Sequence, residues 1–306
     1  MRNACRLFQN KSRSYIRMSR IAYYLFLKPL SLLPLPVLFR FSDVLYVVLY
    51  HLLGWRKKVV YGNMSRSFPE KSEQEIRRLM RAFYRHLCDV MVESIRMFSM
   101  SKEELIRRCR VKNPELFEKY AAEGRNIVIA AGHYNNWEMA GVGCGPQVAH
   151  DDLALYKPLS DPFMDARLRA SRGRFGLELI PTKSARRAFE DYTDRLTAIL
   201  FGADQSPSNP KRAYWTTFLN QDTAVMYGTE KYAREYNYVV VFGHTVKLRR
   251  GYYTLEFSTL TEHPQQTAAG EISEMHTRAL EKIILDNPQY WLWTHKRWKH
   301  KRPENM

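Results

Sequence analysis

From residue 124 onward the chain alternates short apolar runs with helical stretches, and that alternation limits it to few architectures. Asn126–Ala131 (NIVIAA) reads as a buried parallel strand, because a strand covered on both faces carries a continuous apolar run. Leu153–Tyr156, Leu177–Ile180, Leu196–Phe201 and Tyr238–Phe242 read the same way. Helical patterns over Pro162–Phe175, Ser184–Tyr192 and Asp222–Glu235 lie between them. Such repetition predicts an α/β fold: a mixed, mostly parallel sheet flanked by helices. Thr245–Arg249 and Tyr252–Thr259 flank Arg250-Gly251 and predict an antiparallel hairpin appended to the sheet. A last helix is predicted over Ala268–Asp286. A chain of 306 residues has room for one large α/β domain or two small ones, and no linker divides it cleanly.

Ahead of the alternation the chain is helical. Ser72-Glu-Gln-Glu75 has the form of a capping box and opens an amphipathic helix running to about Met97. Ser101-Lys-Glu-Glu104 opens another. Both read as scaffolding. The first 42 residues hold no acid but eight bases: Arg2, Arg6, Lys11, Arg13, Arg17, Arg20, Lys28 and Arg40. Their apolar runs, Ile21–Leu27, Leu32–Phe39 and Val44–Leu53, are interrupted by Lys28, Pro29, Pro34, Pro36 and Asp43. A spanning helix wants about 20 uninterrupted apolar residues. Residues 1–54 therefore read as a broken, basic, aromatic-rich helical segment lying in a membrane interface, its cations on anionic headgroups. A buried hairpin of the core and a single tilted span are the alternatives.

The formal net charge of +17 favours an anionic partner, whether nucleic acid, phosphate-bearing lipid or acidic protein. Cys5, Cys88, Cys109 and Cys144 are far apart and show no paired spacing, so a reduced, cytoplasm-facing domain is expected, without disulfides or a zinc site.

The chemistry concentrates where the first buried strand ends, in Gly132-His-Tyr-Asn-Asn-Trp-Glu138. Open α/β sheets gather active sites at the carboxyl ends of their strands. His133 and Glu138 are five apart, about 140° on a regular helix. In a loop leading into a helix, however, the carboxylate can fold back onto the imidazole. Glu138 would then hold Nδ1–H, and Nε2 could take a proton from an attacking hydroxyl. A structural histidine is the competing reading. Nearby Cys144, among Gly141, Gly143 and Gly145, is readable as a nucleophile but more simply as a small buried residue.

Three other groups qualify as site residues. Arg167, Arg169, Arg172 and Arg174 fall within eight positions, with Arg169 and Arg172 on one helical face. They suit a phosphate clamp or a solvated basic face equally. Asp204-Gln205 follows a strand and suits either an acceptor hydroxyl, a brace for the active-site loop, or a turn. Trp291, Trp293 and Trp298 alternate with His295, Lys296, Arg297 and Lys299, a pattern that suits a membrane surface. It would also suit single-stranded RNA, or a packed C-terminal helix with a charged tail. No RNA-binding module signature accompanies it, and nucleic acid is not an expected partner.

Taken together, these motifs resemble the bacterial lipid A biosynthesis acyltransferases, the late lauroyl- and myristoyl-type enzymes of the wider lysophospholipid acyltransferase superfamily. The family's H-x4-[DE] motif, ending in Asn-Trp-Glu, is matched by His133 and Asn136-Trp137-Glu138. Its Tyr-Arg-Pro strand end appears as Tyr156-Lys157-Pro158, and its arginine-rich helix precedes Phe175-Gly176. Its Asp-Gln is Asp204-Gln205, and its terminal aromatic and basic pattern is Tyr290–Lys299. Two positions depart: Lys157 stands for the usual Arg, and Trp215-Thr-Thr-Phe-Leu-Asn220 lacks the family's Pro and Gly.

The resemblance implies an acyltransferase domain over residues 55–306. It would move an acyl chain from an acyl thioester, acyl carrier protein or acyl-CoA as co-substrate, to a hydroxyl of a phosphorylated glycolipid, a lipid A precursor. No metal or further cofactor is implied. His133 would be the base and Glu138 its orienter. Asn136, Lys157, Arg169, Arg172, Asp204 and Gln205 would bind substrate, with Arg172 as the family's functional arginine. The implied location is the inner membrane, with the catalytic domain facing the cytoplasm. The alternatives are O- or N-acylation of another lipid such as an aminolipid, and a non-catalytic basic protein binding membrane or RNA.

Overall fold

The structure, a computed structural model, describes residues 18–303; Cys5 and the bases Arg2, Arg6, Lys11, Arg13 and Arg17 lie outside the described residues. The chain enters through a helical arm. Helix α1 (18–22) runs through a π-helical turn, Tyr23–Leu27, into α2 (Lys28–Leu32), and the arm breaks at Leu33-Pro34. Helix α3 (Leu35–Tyr46) then continues through a second π-helical stretch, Val47–Leu52, without interruption. Of the expected interruptions, Pro34 acts as one. Pro36 sits in the first turn, where a missing N–H costs nothing. Asp43 is tolerated because Arg250 Nη2 donates to it at 2.7 Å. The 18 residues Leu35–Leu52 thus form one helix long and apolar enough to cross a membrane, a correction to the second and third of the short runs read from sequence.

Leu35, Leu38, Ser42, Tyr46 and Tyr50 recur at helical spacing and bury one face of this helix against α5 (Glu73–Arg96). Between them lies α4 (Lys57–Ser67). The capping box at the start of α5 is present: the Ser72 hydroxyl accepts from Glu75 N–H, and the Glu75 carboxylate accepts from Ser72 N–H at 2.8 Å. Ser101 caps α6 (Lys102–Arg108) in the same position.

The sheet has seven strands in the order β1-β9-β8-β2-β5-β3-β4: β1 (Cys109–Val111), β2 (Ile127–Ala131), β3 (Asp151–Tyr156), β4 (Glu178–Pro181), β5 (Thr197–Gly202), β8 (Val239–Arg249) and β9 (Tyr252–Thr261). Neighbours are parallel except for β8 and β9. The mixed, mostly parallel α/β sheet expected from the sequence is therefore present. Strand β2 is central, with Ile127, Val128, Ile129 and Ala130 all buried. Ile127 and Ile129 face a core shared with Val92, Phe117 and Met139. Val128 faces another with Phe189, Ala233 and Ile272. The helices completing these layers are α7 (Glu115–Ala122), α8 (Trp137–Gly143), α9 (Pro162–Gly173), α10 (Arg187–Glu190), α11 (Gly228–Tyr236) and α12 (Glu271–Asp286).

Two local expectations fail. Residues 239–249, read as parts of two strands, form the single strand β8; β9 is flanked by β8 and β1, so the hairpin is built into the sheet rather than appended. The predicted helix over Asp222–Glu235 begins only at Gly228. Its first part is strand β7 (Gln221–Val225), paired antiparallel with β6 (Tyr214–Phe218). Leu219 and Asn220 make the turn at φ 49° and 60°, the left-handed pair of a two-residue hairpin. Leucine seldom adopts that conformation, so the turn carries no glycine signal. Here Leu219 is buried and its N–H donates to the Glu281 carboxylate at 2.6 Å.

Candidate active site

Strands β2 and β5 are parallel neighbours with Ala131 opposite Gly202. The ladder extends one bond further, from Ala203 N–H to Ala131 C=O at 2.8 Å. His133 and Asp204 each stand two residues beyond that register pair, so the sheet itself brings their side chains together. His133 N–H donates to Asp204 Oδ2 at 2.8 Å, and Nδ1 lies 2.6 Å from Asp204 Oδ1. Trp291 Nε1–H donates to Oδ2 at 2.8 Å. With a buried carboxylate as acceptor, Nδ1 carries the proton and Nε2 is left with its lone pair. Nε2 faces the Gln205 amide at 3.1 Å. The imidazole keeps about 23% of its side-chain surface open and Asp204 only 3%, so the ring is reachable and its partner is not.

The electrostatics follow from this geometry. Burial opposes the charge on His133, but the adjoining Asp204 carboxylate and its hydrogen bond outweigh burial and raise the imidazole above its ordinary value, with Glu138 adding in the same direction. Burial opposes the charge on Asp204 too, but His133 and the Trp291 donor hold the carboxyl down to about 2. An imidazole raised by an ionised, shielded aspartate is an arrangement able to accept a proton at Nε2.

Sequence reasoning assigned the orienting role to Glu138, and the structure places Asp204 there instead. Glu138 lies in the first turn of α8 and is ion-paired with Arg172 of α9 rather than bonded to Nδ1. Its charge still reaches the ring, but it does not hold it. Asn136 is likewise not open to a substrate. It is fully buried, its Oδ1 caps α8 by accepting from Met139 N–H at 2.9 Å, and its Nδ2 donates to the buried Glu93. Glu93 also accepts from Tyr253 OH at 2.7 Å, and burial pushes its carboxyl up to about 7.

The four arginines divide. Arg167 stacks on Tyr23, Tyr24 and Phe163 and donates to Tyr24 OH, pinning the helical arm to α9. Arg174 donates to the carbonyls of Met97 and Met100. Arg172 alone reaches the motif. Arg169 is exposed, as is Lys157 beyond β3. Neither has a carboxylate partner among the described residues. Cys144 is buried, and burial raises its thiol well above the ordinary range, which removes it as a nucleophile.

The C-terminal segment is part of the site, and its tryptophans are not a membrane surface or an RNA platform. Trp291 and Trp293 are buried, and Trp298 Nε1–H donates to Thr223 Oγ1 at 2.7 Å. The segment forms turns rather than a helix, and it clamps the motif loop. Asn135 N–H donates to Tyr290 C=O at 2.8 Å and Leu292 N–H to His133 C=O at 3.1 Å. Asn135 itself takes a left-handed φ of 55° to make this turn. His295 Nε2 accepts from Ser206 N–H at 3.1 Å, beside Gln205. Arg297 is buried near Asp204; burial lowers its guanidinium to about 10, an effect the aspartate partly offsets. Trp291, His295 and Arg297 were visible in the sequence as part of the terminal pattern. Alternation of aromatic and basic residues, however, does not distinguish a clamp from a surface.

Residues 7–300 match the family model described as bacterial lipid A biosynthesis acyltransferase. The chain is also similar to the lipid A biosynthesis lauroyltransferase of Escherichia coli (strain K12). The two are 22% identical over 278 residues, spanning 90% of this chain and 89% of that protein.

Proposed function

The chain belongs to the bacterial lipid A biosynthesis acyltransferase family, and from that premise we propose that it moves a fatty acyl chain from an acyl carrier protein thioester to a hydroxyl of a lipid A precursor. The observation that carries the mechanism is the 2.6 Å contact between His133 Nδ1 and Asp204 Oδ1, which leaves Nε2 as the free base. The acceptor hydroxyl takes the place of the Gln205 amide at Nε2. Its oxygen attacks the thioester carbonyl while its proton passes to Nε2. The tetrahedral intermediate collapses, the carbon–sulfur bond breaks, and His133 returns the proton to the departing thiolate. The acyl chain never resides on the protein. Asp204 stays ionised throughout and stabilises the imidazolium, as the aspartate of a hydrolase triad does.

Arg172, oriented by Glu138 beside the motif, is the cation placed to stabilise the developing oxyanion or to seat an anionic group of a substrate. Arg169 and Lys157, both exposed on neighbouring segments, suit the same anionic chemistry. The helical arm supplies the membrane contact. Phe26, Leu32, Phe41, Val44, Leu52 and Leu53 are exposed, opposite the face packed on α5, and Arg20, Arg40 and Lys57 stand among them. An arm held to the globular body along one face lies in the interface of the inner membrane rather than across it, with the site at the cytoplasmic surface.

Mass spectrometry of lipid A from cells lacking the gene tests this reading. Loss of one acyl chain is expected, restored by the wild-type gene and not by His133→Ala, whose transfer rate falls by about 10²–10⁴-fold. Full restoration by His133→Ala would eliminate the base mechanism. Unchanged lipid A with an altered aminolipid would move the acceptor to that class.

A further inference from the structure

A groove of about 320 Å³ lies between α4 and the C-terminal segment, lined by Lys58, Arg66, Lys296 and Lys299 with Gly62, Asn63 and Trp298. No carboxylate lines it, and none of its four cations is ion-paired among the described residues. Its floor is rigid. Asn63 Nδ2 donates to the carbonyls of Trp293 and His295, both at 3.0 Å, and Arg66 Nε donates to Gln221 at 2.7 Å. Trp298, fixed through Thr223, forms a wall. A relay of hydrogen bonds also connects the groove to the reaction centre. His295, whose carbonyl Asn63 holds, accepts from Ser206 N–H, and the next residue back, Gln205, faces His133 Nε2. Four exposed cations lining one groove repel one another, and a net charge of +17 adds to that cost. A bound polyanion relieves it.

We propose that this groove is a phosphate-binding site that seats the phosphate of a reacting substrate, linked to His133 through Asn63, His295 and the Gln205–Ser206 backbone. It is separate from the Arg172 region at α9, and it extends the proposed acyl transfer by naming where a phosphorylated reactant is gripped. Lys58, Lys296 and Lys299 act as point charges and Arg66 as a fork. The phosphate can belong to the glycolipid acceptor or to the phosphopantetheine arm of the acyl donor.

Calorimetric titration of the purified full chain with inorganic pyrophosphate tests the site without reference to acyl transfer. Saturable binding is expected, weakened about 10–100-fold by Lys58→Glu with Lys296→Glu, the loss of charge-assisted contacts. Lys58→Met with Lys296→Met, which keeps the bulk of both side chains, is expected to weaken binding less but in the same direction. Absence of pyrophosphate binding, or binding equal in wild type and both double variants, would overturn the proposal whatever the enzyme acylates. Steady-state transfer then assigns the source. A KM increase for the phosphorylated acceptor that disappears with its dephosphorylated form places the lipid phosphate in the groove. A KM increase for the acyl donor places the phosphopantetheine there. Unchanged KM for both would refute a role for the groove in the reaction.

Discussion

His133 is held by one short contact, and its neighbours leave that contact little slack. Gly202, at the end of β5, is the tightest of them: a Cβ there would come 3.1 Å from His133 Cε1. Its backbone is in an ordinary conformation, so Gly202→Ala strains nothing except the imidazole. The variant is expected to fold with an unchanged denaturation midpoint while kcat drops about 10–100-fold, because small misplacements of a reacting group are costly. Wild-type kcat in Gly202→Ala would show that the ring tolerates displacement and is not held as described. Gly132 is constrained from the other side, where a Cβ would lie 2.6 Å from Leu280. At this scale the sequence was partly legible. The histidine and its position after a strand could be read directly. Asp204 could be read as a brace for the active-site loop, but not as the partner at Nδ1, because Glu138 is close in sequence whereas Asp204 becomes close only through strand pairing.

Elements were legible where their signal is local. Ser72 and Ser101 announced their helices because a cap is written in four residues. The β6–β7 hairpin was hidden because Leu219 adopts a left-handed turn that only tertiary contacts enforce. The sequence alone divides α3 at Asp43, whose partner Arg250 lies 207 residues away. That ion pair lets the arm keep one continuous apolar outer face. Phe41 and Val44, 49% and 63% exposed, have no packing role for folding to lose. Phe41→Asp with Val44→Asp is therefore expected to release the protein from the membrane fraction of lysed cells, with thermal stability unchanged. Retention on membranes at wild-type levels would show that the arm's outer face is not the attachment.

Across the whole molecule, the fold's contribution is adjacency. Strand β5 enters the sheet between β2 and β3, which places Asp204 beside His133 although 71 residues separate them. The C-terminal segment closes the assembly by donating Trp291 to the same carboxylate. The strand–helix alternation made the α/β class readable, but strand order is a property of the packed chain, and the dyad depends on that order. The central claim is that Asp204, not Glu138, sets the basicity of His133. The pH dependence of kcat/KM tests it most directly, since a histidine can act as a base only as neutral imidazole. With burial lowering and Asp204 raising the His133 pKa to a net value above the ordinary 6.5, the wild-type acid limb should fall above that pH. Asp204→Asn leaves burial dominant, so its limb should move below 6.5 with a large loss of rate, whereas Glu138→Gln should move the limb only slightly. A limb unmoved in Asp204→Asn but shifted strongly downward in Glu138→Gln would contradict the account.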